Sequence, residues 1–248
     1  MNRIIIIFAL LLMAAPAMSQ YTAQGKIEYE RKMNIHRRID DMIEDGGGEW
    51  WEQVKAQSPK FGISYFNLSF NTKKTMYRPG RESESPVKMF GSPPAIDNIV
   101  FTDLQSSRVK AVKEVYEQKF VIGDSIRKIQ WKITDEIRTI ANYKCRKAVG
   151  KICDSVYVVA FYTEDIMVSG GPEMFGGLPG MILELAIPRL YTTWVATKVE
   201  IDPPAETEFA LPASKGRQVT QKEMYEAVRS GIKDWGKYAH RIIWWSMI

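Results

Sequence analysis

Few residues in this chain have the spacing that bond-making chemistry needs. The two histidines, His36 and His240, lie far apart in sequence, and neither sits in a His-Glu-x-x-His metal spacing. No Gly-x-Ser-x-Gly turn exposes a nucleophilic serine. The run from Gly171 to Gly177 has the glycines of a phosphate loop but not the Lys and Ser/Thr that would hold phosphate and metal. Acid–base hydrolysis would fall to dispersed carboxylates, with Glu136, Glu164 and Asp165 as candidates. In the pairs Asp135-Glu136 and Glu164-Asp165, extended backbone points neighbours to opposite faces. Two acids from different strands would therefore have to converge in a cleft, one with a raised pKa. The spacing names no catalytic residue, metal ligand or cofactor.

Cys145 and Cys153 form the one candidate covalent pair. If Ala148 to Gly150 made a hairpin turn, the two would face each other across it, and a bridge would close where their β-carbons lie about 3.5–4.5 Å apart. An exported chain favours that bridge over two separate thiols. The spacing is wider than the Cys-x-x-Cys of zinc and redox pairs.

The densest signal is Ser169 to Ile187. Gly171, Pro172, Phe175, Gly177, Leu178, Pro179 and Gly180 make a stiff loop feeding an apolar strand, and Leu178-Pro179-Gly180-Met181 fits a type II turn. The loop is a candidate binding surface. The same residues serve equally to reverse the chain at a sheet end, and that structural role is favoured.

These residues must be positioned by strands. Gly25–Lys32 sets Ile27, Tyr29 and Arg31 against Lys26, Glu28 and Glu30, a period of two. A charged insertion runs from His36 to Asp45, and Glu49–Gln57 reads as a short helix. Gly62–Tyr77 is strand-like, and Arg78–Pro94, rich in Pro, Ser and Gly, reads as a long loop. Strands then follow at Asn98–Asp103, Val109–Val121, Arg127–Thr134, Ile137–Val149, Ser155–Thr163, Met181–Ile187 and Tyr191–Ile201, with turns at Gly123-Asp124 and Gly150-Lys151. Their direct succession favours antiparallel pairing. Thr220-Gln221-Lys222-Glu223 fits a capping box that opens a helix with Met224, Ala227, Val228, Gly231, Ile232 and Trp235 on one stripe. Ile242 to Trp245 is apolar enough to dock on the rest.

The 248 residues are 45% hydrophobic and 25% charged, which excludes a disordered or collagen-like chain. A net charge of +5, with acids and bases interleaved, does not point to nucleic acid. Asn2-Arg3, the apolar run Ile4–Ala15 and Ala17-Met18-Ser19 read as a signal peptide over 1–19, too short for a spanning helix. The expectation is one exported domain over 20–248, in the periplasm or cell envelope or secreted, with no transmembrane segment after cleavage.

Gly177-Leu178-Pro179-Gly180-Met181-Ile182 resembles the name-giving motif of the GLPGLI family of exported Bacteroidota proteins, with Met181 at its fifth position. Gly171-Pro172 and Phe175 match the residues before that motif. Trp131, Ile133, Glu136, Ile140, Tyr143, Cys145, Lys147 and Ala148 resemble its tryptophan-led stretch, and Tyr162-Thr163 its Tyr-Thr. Arg138, Asn142 and Phe161 depart from its usual Lys, Gly and Trp. Cys153 is additional to the family cysteine matched by Cys145. The resemblance implies no established activity and no catalytic residues. The resulting expectation is a mainly β protein of α+β type, a curved antiparallel sheet or half-barrel meander with a C-terminal helix packed on it. Trp131, Tyr143 and Phe161 would line its concave face. It would act without catalysis as a binding or assembly factor for an apolar ligand or an outer-membrane protein partner. A hydrolase is the alternative.

Overall fold

A computed structural model describes residues 21–44, 48–83, 94–153, 155–236 and 238–248. The expected leader and most of the Arg78–Pro94 loop lie outside the described residues. Six strands form a first meander: β1 (Gly25–Asn34), β2 (Phe61–Phe70), β3 (Lys74–Pro79), β4 (Ile99–Asp103), β5 (Arg108–Val115) and β6 (Gln118–Ser125). Helices α1 (Ile35–Glu44) and α2 (Gly48–Gln57) interrupt it after β1. A second meander comprises β7 (Lys132–Ile140), β8 (Tyr143–Ile152), β9 (Val156–Thr163), β10 (Met181–Ile187) and β11 (Thr192–Glu200). The short β12 (Arg217–Val219), α3 (Gln221–Gly231) and α4 (Tyr238–Met247) follow.

All twelve strands lie in one open sheet of order β12-β6-β5-β4-β3-β2-β1-β11-β10-β9-β8-β7. Each meander is consecutive, and the two meet where β1 pairs antiparallel with β11. Among the described strands, only β12, added beside β6, pairs in parallel. Strand β7 comes within 8 Å of β11 although three strands separate them in the sheet order, so the sheet curls at that edge. Four flat strand spacings would span about 19 Å.

Period-two sequence builds one continuous dry face. Cross-strand partners Ile122, Ala111, Val100, Tyr77, Leu68 and Ile27 form an unbroken row across β6 to β1, and all are buried. Leu185, Ala160 and Ala148 continue the dry face through the second meander. The C-terminal helices help to cover it: Met224 and Val228 of α3, and Ile242 and Trp245 of α4, are buried in the same core. Thr220 caps α3 as its sequence predicts, its Oγ1 accepting from Glu223 N while the Glu223 carboxylate accepts from Thr220 N.

Several expected boundaries move. The charged segment after His36 is helix α1, anchored by Ile35 and Ile39. Gly62–Tyr77 is a hairpin whose turn Asn71 closes by accepting from the amides of Lys73 and Lys74. Val109–Val121 is also a hairpin, turning at Tyr116-Glu117 with φ of 49° and 62°. The expected turns at Gly123-Asp124 and Gly150-Lys151 lie inside β6 and β8, and β8 turns into β9 only after Ile152. Strand β9 is interior in the sheet but not dry on both sides, since Tyr157 is exposed.

Candidate functional site

The inward face carries two cations that strict alternation puts there. Arg31 follows Ile27 and Tyr29 on β1, and Lys113 follows Val109 and Ala111 on β5; each is 1% exposed. Unpaired cations in an apolar core would cost several kcal/mol each, on the order of the effective burial penalty of an ion. The balancing charge comes from the glycine- and proline-rich loop. Glu173, the one charged residue between Asp165 and Glu184, is 2% exposed and lies under the sheet with them.

Local geometry forces Glu173 inward. Phe175 N donates to Pro172 O at 3.2 Å, closing a turn in which Glu173 holds φ 56°, a conformation that favours glycine. Such a residue costs about 1–3 kcal/mol and persists where its surroundings over-determine it. Here they do. Asn98 Nδ2 donates to Glu173 Oε2 at 2.7 Å, and the Tyr77 phenol lies close enough to favour the charged carboxylate. Burial pushes the Glu173 carboxyl above the usual carboxylate range, while Lys113, Asn98, Arg31 and Tyr77 pull it back. Burial also drives the Tyr77 phenol well up, assisted by the Glu173 charge, and Trp194 Nε1 donates to its Oη at 3.1 Å.

Arg31 Nη1 donates to the carbonyls of Pro94 and Ala95 at 2.8 and 3.2 Å, and its Nη2 to Ser64 Oγ at 3.4 Å. Its guanidinium stands 4.9 Å from the Phe66 ring and 5.8 Å from that of Trp245. Lys113 Nζ donates to the main-chain oxygens of Ser246 and Ile248, gripping the end of α4. Burial lowers the Lys113 pKa to about 8 despite Glu173. Arg31 Nε and Glu173 Oε1 are buried without a hydrogen-bond partner among the described residues.

This cluster underlies a cavity of about 500 Å³. Asn98 and Lys113 belong to both. The remaining wall is Pro94–Asp97, the β5–β6 turn Glu114–Glu117, Arg38 and Met42 of α1, and Arg241, Ile242, Trp245 and Ser246 of α4. Arg241 is fixed by Asp41 at 2.8 Å. The size suits a drug-sized molecule, and the wall mixes apolar residues such as Ile96, Ile242 and Trp245 with charged and polar ones in about equal share.

The motif loop itself is mostly interior. Gly171, Pro172, Phe175, Leu178 and Gly180 are buried, and only Gly177 and Pro179 are exposed. Gly180 N donates to Leu178 O at 2.8 Å, a three-residue turn around Pro179 in place of the expected four-residue type II turn. Gly180 is required for another reason: a Cβ there would lie 2.0 Å from Thr163 O. Trp131 pins the loop from outside, its Nε1 donating to Gly176 O at 3.0 Å.

The other candidates do not meet at the cavity. Cys145 and Cys153 are unlinked and sit near opposite ends of β8, about 26 Å apart at strand rise. The expected bridge fails because β8 runs straight through Gly150. Glu136 is exposed between Lys147 at 2.6 Å and Arg138 at 3.3 Å; the Lys147 hydrogen bond leads in holding its carboxyl below the ordinary range. Glu164 lies 3.9 Å from Arg146. Glu173, Arg31 and Lys113 were not among the sequence candidates. Inward parity marks Arg31 and Lys113, and isolation in an apolar loop marks Glu173.

Among the described residues, no group of three or more His, Cys, Asp and Glu is arranged to hold a metal ion, and no helix is long and apolar enough to cross a membrane. Residues 150–184 match a family described as "Protein of unknown function (Porph_ging)", a Bacteroidota-associated family. A comparison with curated proteins finds no match. Two crystal forms of PNGF-II share the fold with TM-score 0.52 and 17% identity over 90% and 82% of this chain. The match covers 33% of either PNGF-II chain, and at that identity the likeness is one of fold alone. An uncharacterized conserved protein from Thermus thermophilus aligns at 6% identity with TM-score 0.40, over 86% of this chain and 99% of that one.

Proposed function

We propose that this chain is an exported cell-envelope protein of the GLPGLI type that works as a binding factor. Its curled sheet serves as a half-barrel, and the cavity under α4 holds a small ligand with an apolar body. The observation that carries this reading is the joining of the 500 Å³ cavity to the buried Arg31–Lys113–Glu173 cluster through Asn98 and Lys113. A carboxylate held at positive φ beneath a cavity wall is a costly arrangement, and such strain gathers at ligand clamps. Glu173 lies behind the wall, so its role is to position Asn98 and Lys113. The separate, solvent-facing salt bridges of Glu136 and Glu164 give the hydrolase alternative no support.

Titration with the uncharged apolar dye N-phenyl-1-naphthylamine tests this reading. One saturable site per chain is expected, abolished by Ile96→Trp, which fills the cavity from a loop position. Multiple weak sites unchanged by the substitution would refute the cavity as a binding site.

A further inference from the structure

A second pocket, of about 420 Å³, lies at the β8–β9 turn beside the end of α4, away from the cavity above. Its charged lining residues are Arg127, Lys128 and Lys151, with Tyr225 and the Cys153 thiol completing the polar part; no carboxylate among the described residues lines it. Arg127 is held rigidly from one side. Its Nε and Nη2 donate to Gln221 Oε1 at 3.3 and 2.9 Å, and Nη2 also to Met247 O at 2.5 Å. Its Nη1 is buried without a hydrogen-bond partner among the described residues. The acid whose charge Arg127 feels, Asp124, is engaged elsewhere, its Oδ2 accepting from Gln221 N at 2.9 Å. The same guanidinium also senses the Cys153 sulfur, which places the thiol within its field.

We propose that this pocket binds a small molecule through a carboxylate or phosphate group, seated against the Arg127 guanidinium and flanked by Lys128 and Lys151, with Cys153 at its rim. A preorganised guanidinium with an unused N–H, in a pocket whose charged lining among the described residues is cationic, is the donor set that planar anions select. The lysines add attraction that draws the anion in and weakens with salt.

Cys153 supplies a built-in reporter. Alkylation of the full-length native chain by iodoacetate and by iodoacetamide, followed site by site by mass spectrometry, compares an anionic with a neutral reagent at one thiol. Their ratio cancels thiol acidity and leaves the pull on the anion. The ratio at Cys153 is expected to exceed that of the urea-unfolded chain about tenfold, the lower end of electrostatic focusing. It should fall in Lys128→Gln/Lys151→Gln, whose substitutions are on the surface. Inorganic phosphate or phosphatidylglycerol vesicles should slow the iodoacetate reaction; protection by the first marks a soluble ligand and by the second a lipid headgroup. Cys145, buried and with its thiol pushed up to about 12 by burial, stays unreacted while the chain is folded. A ratio equal to the unfolded value, or protection by neither anion, would overturn the proposal.

Discussion

At the scale of single residues, burial of charge sets the behaviour of the site. Lys113 has its pKa lowered to about 8 in the folded chain, mainly by burial, against 10.5 as its ordinary value. Between those values the unfolded chain binds more protons, so stability rises with pH across the window from 8 to 10.5. The rise amounts to about 3 kcal/mol if the whole shift is expressed. Urea unfolding at stepped pH should show Lys113→Met losing this increment relative to the parent, while slopes from the buried tyrosines common to both cancel. Glu173→Ala removes the counter-charge of two buried cations and should destabilise by about 3 kcal/mol, the lower end for breaking a buried pair. A loss below about 0.5 kcal/mol, the scale of a surface substitution, would show that Glu173 does not hold Arg31 and Lys113 in place.

At the scale of elements, the glycines of the motif loop serve unlike purposes. At Gly180 an added Cβ meets the Thr163 carbonyl at 2.0 Å, whereas at Gly177, with φ 85°, the nearest atom is Trp131 Nε1 at 3.7 Å. Gly177→Ala should therefore cost only about 1 kcal/mol of backbone strain, while Gly180→Ala should cost about 4 kcal/mol or prevent folding. Denaturation midpoints separate them, and equal losses would contradict the close-approach account. Thr220→Ala should remove about 1 kcal/mol through the lost cap of α3. That cap, β4, β10 and β11 were legible in sequence because local chemistry or clean alternation marked them. The hairpin turns at Tyr116-Glu117 and Ala141-Asn142 were not, since both place non-glycine residues at positive φ and lack the usual Asn-Gly signal. Missing the second left the β7–β8 boundary misplaced, and with it the register that paired Cys145 with Cys153. Helix α1 hid behind its charges, because only Ile35 and Ile39 reach the core.

At the scale of the whole molecule, two consecutive meanders joined at β1 and β11 bury one face, and α3 and α4 help to cover it. Alternation told which residues point inward, but not that Arg31 and Lys113, on strands four places apart in the sheet, share Glu173. Sheet order and curl create that meeting, and neither is encoded within a single segment. The end of α4 is clamped by Lys113 and Arg127 through the main-chain oxygens of residues 246 to 248, which fixes the wall that this helix gives the cavity. The most direct measurement is native mass spectrometry of the full chain purified from its own envelope, beside the Ile96→Trp variant. A bound mass of several hundred daltons on the parent, absent from the variant, is the result this account predicts; parent and variant each flying at the mass of the polypeptide alone would contradict it.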